Sequence, residues 1–278
     1  MKKAIQIAYN EHFDLKCRLA SLGGFEYISA NLSEMLNKTE YEWEKATEEI
    51  GTILEKYNLK CIQSHPYYYD LTISSEKIIE ENEFAMKQGI IASGKLGAKW
   101  CAFHPRSFLT GGRYHQSFED NKKSFSQYLE IAKKYGTGIA AENLLIIGTI
   151  QPIIPFYCSD YGDLVELVDY FNDPDMKICW DTGHANLMRF DQATAIKYIG
   201  DRLKCTHIHN NFHRDDEHLT VDQGDIKWPL VMGALKEINY DGPLTLETHC
   251  RYFEPELLKS FAAHNFKTLE YLEGLMEK

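Results

Sequence analysis

Paired cysteines are missing from this 278-residue chain: its seven cysteines, at positions 17, 61, 101, 158, 179, 205 and 250, are odd in number and none stands in a CxxC spacing. That argues against both a disulfide framework and a cysteine zinc site. No uncharged apolar stretch reaches the roughly 18 residues needed to cross a bilayer, so no membrane span is expected. Basic residues are also short, with 30 Lys and Arg against 41 Asp and Glu and a formal charge of −11. Such a balance repels a phosphate backbone unless cations gather on one face, which makes nucleic acid an unfavoured partner. Nor does any low-complexity linker, charge block or composition shift divide the sequence, and one domain over residues 1–278 is the expectation.

The opening MKKAIQIAYNEHFD has two lysines, then only a strand-length apolar segment before Glu11 and Asp14, which is the wrong shape for an export signal. Unpaired thiols and the lack of such a signal predict a cytoplasmic protein. Cys61, Cys101, Cys179 and Cys205 each fall inside an apolar run and read as small buried core residues.

What the sequence does contain is an alternation of short apolar runs with longer segments of helical period, the pattern of repeated βα units around a parallel sheet. Strands are predicted at 4–10, 25–32, 60–66, 100–105, 138–144, 177–184, 205–211 and 244–249. Helices are predicted near 14–22, 41–57, 75–96, 120–135, 161–171, 191–201, 228–238 and 255–276. Gly23, Gly24, Gly97, Gly136 and Gly138 follow these helices, where a residue tolerant of positive φ commonly ends the last turn. The count closes a (β/α)8 TIM barrel, an α/β fold. Long stretches without a pattern, 106–117, 145–159 and 212–226, each follow a strand and would overhang the active face.

Strand after strand ends in an acidic or imidazole side chain: His65, His104, Glu142, Asp181 with His184, His207 with His209, and Glu247. Asp216 and His218 follow in the loop after the seventh run. In a barrel of parallel strands these ends share one face, so residues distant in sequence meet there. A carboxylate closing an apolar strand is costly to bury unless it is paired, hydrogen-bonded or bound to metal. Glu142, Asp181, His207 and Glu247 form a mixed oxygen and nitrogen set suited to a divalent ion, zinc or manganese first, with magnesium or cobalt compatible. Copper or iron–sulfur chemistry is disfavoured because no cysteine holds these positions. Alternation puts His207 and His209 on the same side, so either could ligate, with His207 preferred. His65, His104, His184, His209, Asp216 and His218 are candidates for substrate contacts or further metal ligands. Gly183 would permit a tight turn between Asp181 and His184. Tyr67, Tyr68 and Tyr69 could wall the pocket, and Arg106, Arg113, Arg189, Arg214 and Lys227 could hold a phosphate or sugar hydroxyls.

The strings AAENL, CWDTGHA, THIHNNFHRDDEH and LTLETH, in this order, resemble the xylose isomerase-like superfamily of TIM barrels, which includes sugar-phosphate isomerases and epimerases and the AP endonuclease family 2 proteins. In the epimerase branch the resemblance implies metal ligation by Glu142, Asp181, His207 or His209, and Glu247, with His184 touching substrate. In the endonuclease branch it implies a larger zinc site whose extra positions match His65, His104, Asp216 and His218. After DTGHA, however, the chain reads NLMRFD, without the longer glycine-containing continuation of endonuclease IV proteins. The expectation is therefore a divalent-metal-dependent sugar or sugar-phosphate isomerase or epimerase with Glu142 and Glu247 as its acid/base pair, acting on a small molecule and free to form a homo-oligomer. An endonuclease IV-like phosphodiesterase is the alternative, and a barrel that only binds a sugar is a third class.

Overall fold

A computed structural model describes residues 1–66, 76–107, 114–145, 156–250 and 254–277. Its eight parallel strands are β1 (Lys3–Ala8), β2 (Tyr27–Asn31), β3 (Lys60–His65), β4 (Trp100–Phe103), β5 (Gly138–Glu142), β6 (Met176–Asp181), β7 (Leu203–His207) and β8 (Leu244–Leu246). They hydrogen-bond in the order β7-β6-β5-β4-β3-β2-β1-β8. Just past the end of β7, Ile208 N donates to Thr245 O at 2.7 Å and Glu247 N donates to Ile208 O at 3.0 Å, which closes the ring. The result is a (β/α)8 TIM barrel.

Helices α1 (Phe13–Leu22), α2 (Glu40–Lys56), α3 (Glu76–Lys95), α4 (Tyr114–Tyr135), α5 (Tyr161–Phe171), α6 (Thr182–Leu187), α7 (Gln192–Ile199), α8 (Trp228–Glu237) and α9 (Pro255–Glu277) lie between and after the strands. Their starts are chemically marked. Thr39 and Glu42 form a reciprocal capping box on α2, and Asp160 and Asp191 accept the free N–H groups that begin α5 and α7. On α2 the residues Trp43, Ala46, Thr47, Ile50 and Leu54 are buried, the i, i+3, i+4 stripe that pins a helix to a barrel wall. The main core lies between this wall and the helices, where Ile5, Ile28, Phe103, Ile139 and Trp180 point outward from the strands.

Several sequence expectations shift. Helix α4 begins at Tyr114 instead of near residue 120, and the strand expected over 177–184 stops at Asp181, where α6 begins. Asp181 causes that switch: its Oδ1 accepts the His184 N–H at 2.6 Å and caps the new helix. Gly24, Gly97 and Gly136 do adopt positive φ after their helices. Gly138 does not; it lies in β5 against the Trp100 ring, where a Cβ has no room. Among the described residues no helix is long and apolar enough to cross a membrane.

Candidate metal centre

Every strand-end candidate named from the sequence lies at one mouth of the barrel. Glu142, Asp181, His65, His207 and His209 are 0 % exposed there. Glu247 and His184 are also buried, while His104, Asp216 and His218 are half-buried at its edge.

Three neighbouring groups share members. In the centre, His207 Nδ1 lies 2.9 Å from Glu142 Oε1, 3.0 Å from Glu247 Oε2 and 3.9 Å from Asp181 Oδ2. On one side, His65 Nε2 and His104 Nε2 are 3.4 Å apart and stand 3.5 and 3.4 Å from Glu142 Oε2. On the other, Asp216 Oδ2 is 3.5 Å from His184 Nε2 and 3.1 Å from His218 Nε2, while His209 Nε2 is 3.0 Å from Asp181 Oδ1. Glu142 thus joins the first two groups, and Asp181 reaches toward the third.

The geometry fits a divalent ion. Two ligand atoms each about 2.0–2.1 Å from a tetrahedral ion stand roughly 3.3 Å apart, and the His65–His104–Glu142 triangle has sides of 3.4–3.5 Å. Ligand atoms of Glu142, Asp181, His207 and Glu247 all fall within 4.8 Å of one another. Glu142 Oε2, although fully buried, has no hydrogen-bond partner. The outer hydrogen bonds point the same way. His184 and His218 each turn Nδ1 toward a main-chain carbonyl, Asn143 O at 2.8 Å and Glu247 O at 2.6 Å, which leaves Nε2 of both rings directed at Asp216. A carbonyl behind the ring is the usual support of a metal-binding imidazole.

Electrostatics describe the same crowding. Burial alone would push the His207 imidazole down, yet the Glu142 and Glu247 charges hold it up at about 10. Burial acts likewise on His218, which Asp216 and Glu247 raise to about 9, and on His184, which Asp181 and Asp216 raise well above the ordinary value. Burial would raise Glu142, but His207 and His104 hold it well below the usual carboxylate range. Protons on imidazoles thus offset the carboxylates, and a bound cation would displace them. Zinc binding near neutral pH is therefore expected to expel protons, and its affinity to fall as pH drops. Titration calorimetry in buffers of different ionisation enthalpy should return a positive proton-release number; a value of zero would contradict this account.

Side chains not singled out from the sequence hold the mouth in shape. Gln6 Nε2 donates to Glu247 Oε1 at 2.7 Å, and Gln6 Oε1 accepts from Asn31 Nδ2 at 3.0 Å. Asn143 clamps the end of β6, accepting from Asp181 N at 2.6 Å and donating to Asp181 O at 3.0 Å. Asn211 donates to Gly183 O at 2.9 Å. The only linear signal was an amide beside a candidate ligand in AENL and HNN.

Gly183 has a different role from the tight turn expected of it. It lies within α6, and a Cβ at this position would fall inside the His209 ring. Gly183→Ala is expected to lower unfolding free energy by about 1–3 kcal/mol, the cost of forced overpacking, and to displace His209; a urea transition like that of the parent would rule out the contact. Arg106 is already engaged, paired with Glu83 and donating to Tyr128 at 3.1 Å, so it is not free to hold a phosphate. Arg113 and the Tyr67, Tyr68 and Tyr69 wall lie outside the described residues.

The fold and site define a parallel eight-stranded TIM barrel whose strand ends deliver a buried cluster of carboxylates and imidazoles that could hold a metal ion. The chain belongs to the xylose isomerase-like TIM barrel family, whose profile matches residues 17–267. It is 32% identical over 213 residues to D-psicose 3-epimerase from Enterocloster bolteae, covering 64% of this chain and 68% of that protein. An uncharacterized protein of Methanocaldococcus jannaschii is 26% identical over 215 residues, 75% of this chain and 71% of the relative. The structure of D-allulose 3-epimerase from Methylomonas sp. superposes with a TM-score of 0.76 over 98% of both chains at 17% identity, a likeness of fold.

Proposed function

We propose that the protein is a divalent-metal-dependent isomerase or epimerase of a small sugar or sugar phosphate, with Glu142, Asp181, His207 and Glu247 as its central ligands. One observation carries this reading: Glu142 and Glu247 approach the same His207 nitrogen, at 2.9 and 3.0 Å, in a buried site at the barrel mouth. The identity shared with a D-psicose 3-epimerase supports a ketose as substrate.

A bound divalent ion supplies Lewis acidity toward a substrate carbonyl and its neighbouring hydroxyl. The chain's residues supply the proton chemistry. One glutamate takes the proton from the carbon beside the carbonyl, leaving the electron pair in an enediolate, and the other returns a proton from the opposite face. Inversion at that carbon is epimerisation; return at the adjacent carbon is ketose–aldose isomerisation. His207 Nδ1 stands between the two carboxylates, and Gln6 fixes Glu247 by donating to Oε1, so its other oxygen faces His207. His184, its ring held by Asn143 O, would contact the substrate.

The test is a panel of ketoses and their phosphates, incubated in deuterated water with metal-loaded protein and followed by proton NMR. A C3 epimer carrying solvent deuterium at C3 is the expected product. No epimer, aldose or exchange from any member, with metal stoichiometrically bound, would overturn the reading.

A second reading has its own support, because the ligand set extends beyond one ion: His65 and His104 share Glu142, and His184 and His218 share Asp216. Such a row suits an endonuclease IV-like phosphodiesterase, in which clustered ions activate water and stabilise displacement at phosphorus. The charge of −11 opposes a DNA-binding surface. Nicking of abasic duplex DNA by protein holding several ions would favour this alternative.

A further inference from the structure

In each ligand-bearing strand the residue two positions earlier faces the same way, so a second ring lies one layer deeper in the barrel. Beneath Glu142 stands Ala140, beneath Asp181 stands Cys179, and beneath His207 stands Cys205. With Trp100 and Ala102 these form a small cluster separate from the core that packs the helices. Cys179 and Cys205 are register partners across β6 and β7, both are fully buried, and both are free thiols. From the sequence both are expected as small buried core residues, with no cysteine at the ligand positions. Yet the Cys179 Sγ, a Glu142 oxygen and a His207 ring nitrogen all lie within 4.8 Å of one another. A second observation points to a ligand there. His207 Nε2 is a buried atom of a 0 % exposed residue and has no hydrogen-bond partner.

We propose that Cys179 forms the floor of the metal centre and, with Glu142 and His207, makes an inner sulfur–nitrogen–oxygen subsite that selects thiophilic divalent ions over hard ones. The proposal rests on the metal-centre reading given above. Carboxylates alone suit magnesium and manganese, while a thiolate shifts preference toward zinc, cobalt and cadmium. Binding is not a redox step: the Cys179 S–H bond breaks, its proton goes to buffer, and one sulfur–metal bond forms.

Chelator-stripped protein loaded with one equivalent of cobalt(II) provides the test. Expected is a sulfur-to-cobalt charge-transfer absorption in the near ultraviolet, lost in Cys179→Ser and kept in Cys250→Ser. The preference for cadmium over manganese should fall on the order of 10–100-fold in Cys179→Ser, the loss common when support of a metal is removed. X-ray absorption of the zinc-loaded parent should show a sulfur shell near about 2.3 Å, which decides the matter even if the variant does not fold. Bound cobalt without the band, a band unaffected by Cys179→Ser, or a zinc shell without sulfur would each overturn the subsite. A protein that binds no cobalt at all would overturn the metal centre together with it. A missing epimerase activity alone would leave these spectra unchanged, so the two readings fail separately.

Discussion

Glu142→Gln is expected to lower turnover on a verified sugar substrate by about 10²–10⁴-fold, the contribution of a positioned general base, while far-UV circular dichroism stays that of the parent barrel. Glutamine has the same shape but neither the charge nor the basicity. In this site the charge has several tasks, because Glu142 stands 2.9 Å from His207 on one oxygen and 3.4–3.5 Å from His104 and His65 on the other. The neutral variant should therefore lose bound metal as well as base. Glu247→Gln offers the comparison: Glu247 faces His207 and is held by Gln6, and it stands outside the group in which His65 and His104 meet Glu142. It should impair turnover similarly while sparing metal held on that side. Elemental analysis of both variants beside their kinetics separates the roles. Full turnover in Glu142→Gln would remove this residue as the base.

The strands and helices were legible because each inward or outward face repeats with its own period and glycines mark helix ends, as Gly24, Gly97 and Gly136 do; the caps Thr39, Asp160 and Asp191 were not read from the sequence. The convergence of ligands was legible because a closed parallel barrel leaves strand C-termini nowhere else to go. What stayed hidden depended on distances between chains of residues with no linear pattern. Asp181 could be read as a ligand but not also as the cap that ends β6 and starts α6, since one carboxylate serving both needs the turn in three dimensions. Gly183 looked like a turn residue, because nothing in DTGH announces that His209 packs against it. Gln6 lies far upstream and reaches Glu247, with Asn31 bonded behind it, only because β1 pairs with both β2 and β8.

Adding zinc to chelator-stripped protein is expected to raise the unfolding midpoint by about 10 °C when free zinc is about 1,000 times Kd, since selective binding to the native state then contributes about 4 kcal/mol and each kcal/mol moves a chain near this size by roughly 2–4 °C. The origin of the gain lies in the charge count. Two unit charges 4–5 Å apart interact by about 3–4 kcal/mol at an effective dielectric near 20, and the ligand atoms of Glu142, Asp181, His207 and Glu247 all fit within 4.8 Å. Without an ion, three carboxylates make three repulsive pairs, which a single His207 imidazolium offsets with three attractive ones. The cost of burying all four groups is then left uncompensated. A divalent ion doubles the positive charge at the centre and frees His207 to bind as neutral imidazole. The sign of the pH effect follows. His207 is raised from 6.5 to about 10 in the ion-free fold, so its stabilising proton is fully effective below 6.5 and is lost as pH rises through 10. Ion-free protein should weaken across that window while zinc-loaded protein holds, and the gap between their melting curves should widen with pH. Coincident curves with and without zinc at every pH would mean that these four side chains meet for some purpose other than holding an ion.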